Sequence, residues 1–234
     1  MSETRAVAGV VFDLDGVIIE SEHLWEESWR AFAEAKGSTW AHEDSLLVQG
    51  MSTPEWSRFL ARHVGLPEAA AEATAFCVGY MIERIENGDG ELIPGARELL
   101  DSVSSRVPIA LASSAPRRAI DAVLAHHGIT PLFTATVSSE EVSRGKPSPD
   151  VYLEAIARLG LQPADGLAIE DSSNGIRSAR SADLLVVAIP NPTYPPKPDA
   201  AALADYLATD HDDARRFILA LLPDRADLAE KEMS

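Results

Sequence analysis

Val7-Ala8-Gly9-Val10-Val11-Phe12-Asp13-Leu14-Asp15-Gly16 is the stretch on which the fold turns. Its first six residues form an apolar run closed by a turn signal, the pattern of a buried strand. Side-chain direction repeats every second residue in an extended chain, so Asp13 and Asp15 leave the strand end on the same side. Gly16 lets the chain turn sharply beyond them. Carboxylates this close repel unless a cation or a shared proton relieves them. The pair therefore binds a metal, works as a nucleophile and acid/base couple, or does both. Asp-Gly between apolar stretches also serves as a plain turn. A calcium loop of the EF-hand type does not fit, because Gly16 falls two places too early for the glycine of that pattern.

Further strand-like runs follow at Val107–Ala112, Phe133–Val137, Gly166–Ile169 and Leu184–Ile189. Helical patterns lie at about 95–105, 115–127, 149–159 and 174–182. This alternation predicts an α/β fold, a doubly wound (Rossmann-like) parallel sheet core. Active sites in such sheets gather at the strands' carboxyl ends, where the Asp pair stands. Residues 20–91 break the alternation. They are helical in pattern over 54–64 and 67–86, and Trp25 and Trp29 are spaced i, i+4. We expect an inserted all-helical cap domain there, with the α/β catalytic core formed by 1–19 and 92–234. Gly88-Asp89-Gly90 and Pro94-Gly95 mark the return to the core. Residues 190–198 are Pro-rich and predict a rigid loop, and the charged tail begins at about 224.

The chain has 234 residues, 46% of them hydrophobic, enough for a sizeable core. No apolar run approaches the roughly 18 residues that cross a bilayer. The N-terminus lacks a basic region followed by an apolar core, so no secretory signal is expected. Cys77 is the only cysteine, which excludes an internal disulfide and favours a cytoplasmic setting. The formal net charge of −17 disfavours nucleic acid and anionic membranes as partners. It also repels phosphorylated substrates, so such a substrate needs a local positive site from a metal, a Lys or helix N-termini.

Three other features fall at strand ends or helix starts. Ala112-Ser113-Ser114-Ala115-Pro116 offers hydroxyls and free N–H groups, either a phosphate cradle or an ordinary helix cap. Lys146-Pro147-Ser148-Pro149-Asp150 projects a lysine from a backbone fixed by proline, either toward a site or into solvent. Ile169-Glu170-Asp171-Ser172-Ser173-Asn174-Gly175 ends a strand in two carboxylates, a site or an acidic cap on the next helix. Together with Asp13 and Asp15 these bring carboxylates, a hydroxyl and a lysine to several strand ends.

With these four motifs the chain resembles the haloacid dehalogenase superfamily, over nearly its whole length. Its style is similar to the subgroup of β-phosphoglucomutases and small sugar-phosphate phosphatases. The resemblance implies that Asp13 is the nucleophile, forming an aspartyl-phosphate. Asp15 is then the general acid for the leaving alcohol and the general base for water. Ser113 and Lys146 complete the catalytic set, binding phosphoryl oxygens and neutralising charge, with Ser114 beside them on the substrate. Asp13, Asp171 and the Asp15 carbonyl hold Mg²⁺, and Glu170 ligates it directly or supports its ligands. Asn174 orients that loop. Asp15 argues against dehalogenation, which needs no leaving-group proton, and P-type ATPases would need membrane helices.

In the cap, Glu22, His23, Trp25, Gln49 and Trp56 are candidates for the leaving group. Glu22 and Gln49 are the substrate-binding choices, whereas Trp25 and Trp29 also fit a cap core. The β-phosphoglucomutases carry a His twelve positions after the nucleophile, where this chain has Trp25. They also carry a Lys-Gly-x-x-Arg segment, where this chain has Gln49-Gly50-Met51-Ser52-Thr53. Both basic residues of that segment are missing, although Arg58 and Lys36 are available as substitutes. The expected function is hydrolysis of a small phosphorylated metabolite, a sugar phosphate, by a monomer or weak homodimer. The alternatives are a phosphomutase and a non-catalytic module that keeps the fold.

Overall fold

The computed structural model describes residues 7–48 and 51–223, and the account below concerns those residues. Gln49, expected at the substrate, lies outside them. In chain order the elements are β1 (Gly9–Phe12), α1 (Glu22–Ala35), α2 (His42–Val48), α3 (Thr53–His63) and α4 (Ala70–Glu86). Next come α5 (Ala96–Ser104), β2 (Ile109–Ser113), α6 (Arg117–His126), β3 (Ala135–Ser138) and α7 (Asp150–Arg158). The chain then forms β4 (Gly166–Glu170), α8 (Ser173–Ser181), β5 (Leu185–Ala188), α9 (Pro198–Ala201), β6 (Tyr206–Leu207) and α10 (His211–Leu221).

The strands pair in parallel in the order β3-β2-β1-β4-β5-β6. The sheet grows outward from β1 in one direction and from β4 in the other, which opens a crevice at their carboxyl ends. Phe12 is paired with Leu111 on one side and Ile169 on the other. Asp13 therefore emerges level with the end of β4, and its N–H donates to the Ile169 carbonyl at 3.1 Å.

Val10 and Phe12 pack with Ile109, Leu111 and Ile169 beneath apolar residues of α5, α6 and α10. Val11 packs on the opposite face with Ala110, Ala112 and Ala168, beneath residues of α7 and α8. Burial on both faces explains why these strands are written as unbroken apolar runs rather than as polar–apolar alternation.

Helices α1 to α4 lie between β1 and α5 and have an apolar cluster of their own, including Trp29, Phe32, Trp40, Trp56, Leu60 and Cys77. Leu24 of α1 and Met81 and Ile85 of α4 join the sheet's cluster instead and tie the insertion to the core. The chain enters and leaves the insertion side by side. Ile19 bridges Leu92 in antiparallel fashion, Glu20 N–H donates to the Glu91 carbonyl at 3.1 Å, and Ile93 N–H to the Ile18 carbonyl at 3.0 Å.

Strands β2 and β3 begin two residues later than the apolar runs suggest. The N–H groups of Arg106 and Val107 turn back to the Val103 carbonyl to close α5, and Phe133 follows a 3-10 turn at Thr130–Leu132. The Pro-rich stretch is a loop until Pro198 opens α9, where its missing N–H costs nothing. Strand β6 and helix α10 had no counterpart among the expected elements. No helix of the described residues is long and apolar enough to cross a membrane.

Candidate active site

Asp13 is 6% exposed and stands just past β1. Lys146, itself buried, donates from Nζ to Asp13 Oδ1 at 2.6 Å and to Glu170 Oε1 at 2.6 Å. The Glu170 carboxylate ends β4 with no exposed surface, and both of its oxygens are engaged. Oε1 also accepts from the Tyr152 hydroxyl at 2.7 Å, and Oε2 accepts from the N–H groups of Asp171 and Ser172 at 3.1 and 3.2 Å. The cation also lies 5.0 Å from the Tyr152 ring centroid.

Two glycines make this approach possible. Gly16 has φ +79°, and a Cβ there would collide with the Asp171 carboxylate. A Cβ on Gly175 would collide with the Glu170 carboxylate, which sits against the start of α8. The local chain also caps that helix, because Ser172 Oγ accepts from Gly175 N–H at 3.1 Å.

The cluster is short of positive charge. Burial, followed by Glu170 and Asp15 against the opposing pull of Lys146, pushes the Asp13 carboxyl up to about 8. Asp171 is raised by burial and then by Glu170, Asp13 and Glu22. Burial works against the charge on Lys146, but Asp13 and Glu170 outweigh it and hold the amine above its ordinary value. Carboxylate oxygens of Asp13, Glu170 and Asp171 all lie within 4.8 Å of one another, and among the described residues Lys146 is the cation that pairs with them. An all-oxygen set with excess negative charge fits a hard divalent cation. Asp13 and Asp171 are the better ligands, since donors already occupy both Glu170 oxygens.

Asp15 points toward the inserted helices. Its Oδ1 accepts from the Ser21 hydroxyl and from Trp25 Nε1–H at 3.2 Å. Ser113 ends β2 fully buried, and its Oγ accepts from Ala115 N–H at 3.0 Å. Its own O–H makes no hydrogen bond among the described residues. Ser114 borders the open space, and its carbonyl accepts from Ser139 Oγ at 2.9 Å.

A cavity of about 380 Å³ lies between the sheet and the insertion, and Ser113 and Glu170 stay behind its lining. Asp13, Asp15, Ser114, Lys146 and Asp171 border it below, and Glu22, Trp25, Glu26, Trp29, Met51 and Trp56 border it above. Trp25 and Trp29 thus do double duty as cap core and cavity wall. Their rings stack at 6.3 Å, and each lies about 6 Å from Trp56, at 5.9 and 6.2 Å.

Asn174 also borders the cavity. His23 is exposed and pairs with Glu20 at 2.6 Å, away from this space. Lys36 pairs with Glu72 at 2.6 Å, and neither it nor Arg58 lines the cavity. Among the described residues the cations that line it are Lys146, Arg177 and Lys197, and Tyr194 borders it as well. Tyr152, Ser21, Arg177 and Lys197 were not singled out in the sequence. Tyr152 follows Lys146 by six residues on the apolar face of α7, where it passes for core, and Ser21 passes for a helix cap.

A family model described as haloacid dehalogenase-like hydrolase matches residues 7–183. A probable pseudouridine-5'-phosphatase of Drosophila melanogaster is 34% identical over 200 residues, covering 80% of this chain and 84% of the relative. A phosphorylated carbohydrates phosphatase of Thermotoga maritima is 30% identical over 179 residues, covering 75% of this chain and 81% of the relative. The solved structure of CbbY from Rhodobacter sphaeroides in complex with phosphate superposes with a TM-score of 0.77 at 25% identity, covering 88% and 95% of the two chains.

Proposed function

Since the chain belongs to the haloacid dehalogenase-like hydrolase family, we propose that it is an Mg²⁺-dependent phosphatase of a small phosphorylated metabolite, a sugar phosphate or similar ester. The observation that carries this reading is the buried lysine 2.6 Å from both Asp13 and Glu170, at the floor of a cavity of substrate size. The curated relatives named as phosphatases of a nucleotide-like and a carbohydrate phosphate support it.

In this reading Asp13 attacks phosphorus in line with the ester oxygen. The P–O bond to the leaving group breaks, and Asp15 supplies the proton that turns the departing alkoxide into an alcohol. Asp15, now ionised, takes a proton from water as that water attacks the aspartyl-phosphate, which returns Asp13 and releases inorganic phosphate. Lys146 holds the Asp13 carboxylate in place and neutralises charge on the transferring oxygens, and Ser113 O–H supplies a donor to them. Asp13, Asp171 and the Asp15 carbonyl would hold Mg²⁺, which when bound supplies positive charge to the phosphoryl oxygens. Glu170 acts by anchoring Lys146 rather than by ligation.

We assign residues 20–91 to a cap that excludes water and chooses the leaving group, with the paired segments at Ile19 and Leu92 as its boundary. The single thiol, Cys77, is buried, which suits a cytoplasmic setting. A mutase needs a cap partner for a second phosphate, and the indole at position 25 is a donor spent on Asp15.

A phosphate-release screen over sugar phosphates, polyol phosphates and nucleotides tests the reading. Turnover that needs Mg²⁺ and disappears in Asp13→Asn is expected. Isomerisation of bisphosphate-primed β-glucose 1-phosphate without net phosphate release would replace it with the mutase.

A further inference from the structure

We infer that Lys197 and Arg177 form a second anion subsite on the wall of the cavity, so that the preferred leaving group carries an acidic group of its own, a carboxylate or a second phosphate. The inference rests on the phosphatase reading above and adds to it the chemistry of the substrate's far end.

One residue ties the two cations to the site. Ser173 opens α8 just after Asp171 and borders the cavity. Its Oγ accepts from the Lys197 N–H at 2.8 Å, and its carbonyl accepts from Arg177 Nη1–H at 3.4 Å. Lys197 is thereby pinned at the end of the Pro-rich loop, where Pro195, Pro196 and Pro198 restrict the backbone on either side. Arg177 follows Ser173 by one helical turn. Lys197 is exposed and Arg177 half-buried, and both border the cavity.

Their charge is not consumed by the protein. Acids outnumber bases 37 to 20 in the chain, so a basic side chain left without a carboxylate needs a reason. Lys36 and Lys146 each sit on carboxylates, at 2.6 Å. Among the described residues no acceptor reaches Lys197 Nζ. Arg177 donates from Nη2 to Asp199 at 2.5 Å, and beyond that and the Ser173 carbonyl its N–H groups find no acceptor among the described residues. From the cap, Glu22 and Glu26 border the same space, and Glu26 is answered by Arg30 at 2.7 Å and His42 at 3.1 Å.

The transferred phosphoryl group belongs to the floor, where Lys146 is held between Asp13 and Glu170. Arg177 pairs with Asp199 and not with a floor carboxylate. A monoester held at the floor therefore meets these two cations with its alcohol part. A neutral sugar gains little from them, whereas a carboxylate or phosphate is both paired and hydrogen-bonded.

The readout is a ratio of kcat/KM for two esters that differ only in the far group. 3-Phosphoglycerate against glycerol 3-phosphate tests a carboxylate, and fructose 1,6-bisphosphate against fructose 1-phosphate tests a phosphate. At least one ratio is expected at about ten in the wild type, and the larger one identifies the acid. Lys197→Gln is expected to lower that ratio about fivefold, mainly through KM, and Asp199→Asn, which frees the Arg177 guanidinium, to raise it. Lys36→Gln makes the same change in net charge away from the cavity and is expected to leave the ratio where it was. Both ratios at or below one in the wild type overturn the inference. So does a ratio that neither Lys197→Gln nor Asp199→Asn moves, or one that Lys36→Gln lowers as much as Lys197→Gln does. Failure of the wild-type chain with Mg²⁺ to release phosphate from any of these esters or from p-nitrophenyl phosphate overturns the phosphatase reading itself.

Discussion

The Tyr152 hydroxyl donates to Glu170 Oε1 at 2.7 Å, sharing that oxygen with Lys146 Nζ at 2.6 Å. Tyrosine and lysine thus clamp one buried carboxylate between them, and the lysine's reach to Asp13 depends on that clamp. Tyr152→Phe keeps the packing and removes one donor to a charged acceptor. It is expected to cost about 1.5–3 kcal/mol and to lower kcat several-fold with little change in KM. Thermal unfolding and steady-state phosphate release check both numbers.

Gly16 and Gly37 both have left-handed backbones, with φ of +79° and +74°, but only Gly16 faces a carboxylate. Nothing lies within 4 Å of a Cβ added at Gly37. Gly37→Ala is therefore expected to cost roughly 1–2 kcal/mol of backbone strain with full activity. Gly16→Ala adds a collision with Asp171 and is expected to lose more than tenfold in activity. Equal activity in the two variants would show that the collision is relieved elsewhere.

The excess of carboxylate at the cavity floor predicts that the fold is sensitive to divalent cation. On the proposed reading Mg²⁺ binds the folded arrangement and not the unfolded chain, and it is expected to raise the melting temperature. At one hundred times the dissociation constant the gain is about 2.7 kcal/mol. Asp171→Asn is expected to lose most of that gain, and EDTA to abolish turnover in the wild type until Mg²⁺ is returned. Differential scanning calorimetry with and without the ion measures the first effect.

His211 is buried, and its Nε2–H donates to the Val17 carbonyl at 2.6 Å. Burial holds this imidazole below its ordinary value of 6.5, against the opposing effects of Val17 and Asp210. The unfolded chain then binds the proton more readily than the folded one. The neutral side chain's contribution is complete above about 6.5 and is lost as pH falls toward the depressed folded value. His211→Gln is expected to flatten the fall in melting temperature between about pH 7.5 and 5.5 relative to the wild type. His127 is shifted in the same direction, burial again being the first cause, so the readout is the difference between the two curves rather than either alone.

The sheet core was legible because its strands are written as apolar runs, and Asp13, Ser113 and Glu170 stand at or just beyond the ends of three of them. Strand β6 is two residues long and leaves no pattern in the chain. Helix α10 carries its buried Ala214 and Ile218 among charged residues such as Asp212, Arg215 and Arg216, which mask the stripe. Within the site, Tyr152 was hidden because a tyrosine on a helix's apolar face is indistinguishable from core until Glu170 is seen beside it. Of the Asp15 partners, Ser21 was not singled out in the sequence, and Trp25 was read as a candidate for the leaving group and as cap core. Only the tertiary arrangement shows that both also reach back to the carboxylate.

The bridge between Ile19 and Leu92 bears on how such a chain diversifies. Both ends of the insertion emerge at one place, already paired, so the distance that any replacement segment must close is set by the ribbon and not by its own length. Helices could be lengthened, exchanged or lost between those two residues while β1 and α5 keep their positions. Selectivity and reactivity would in that sense be separately heritable.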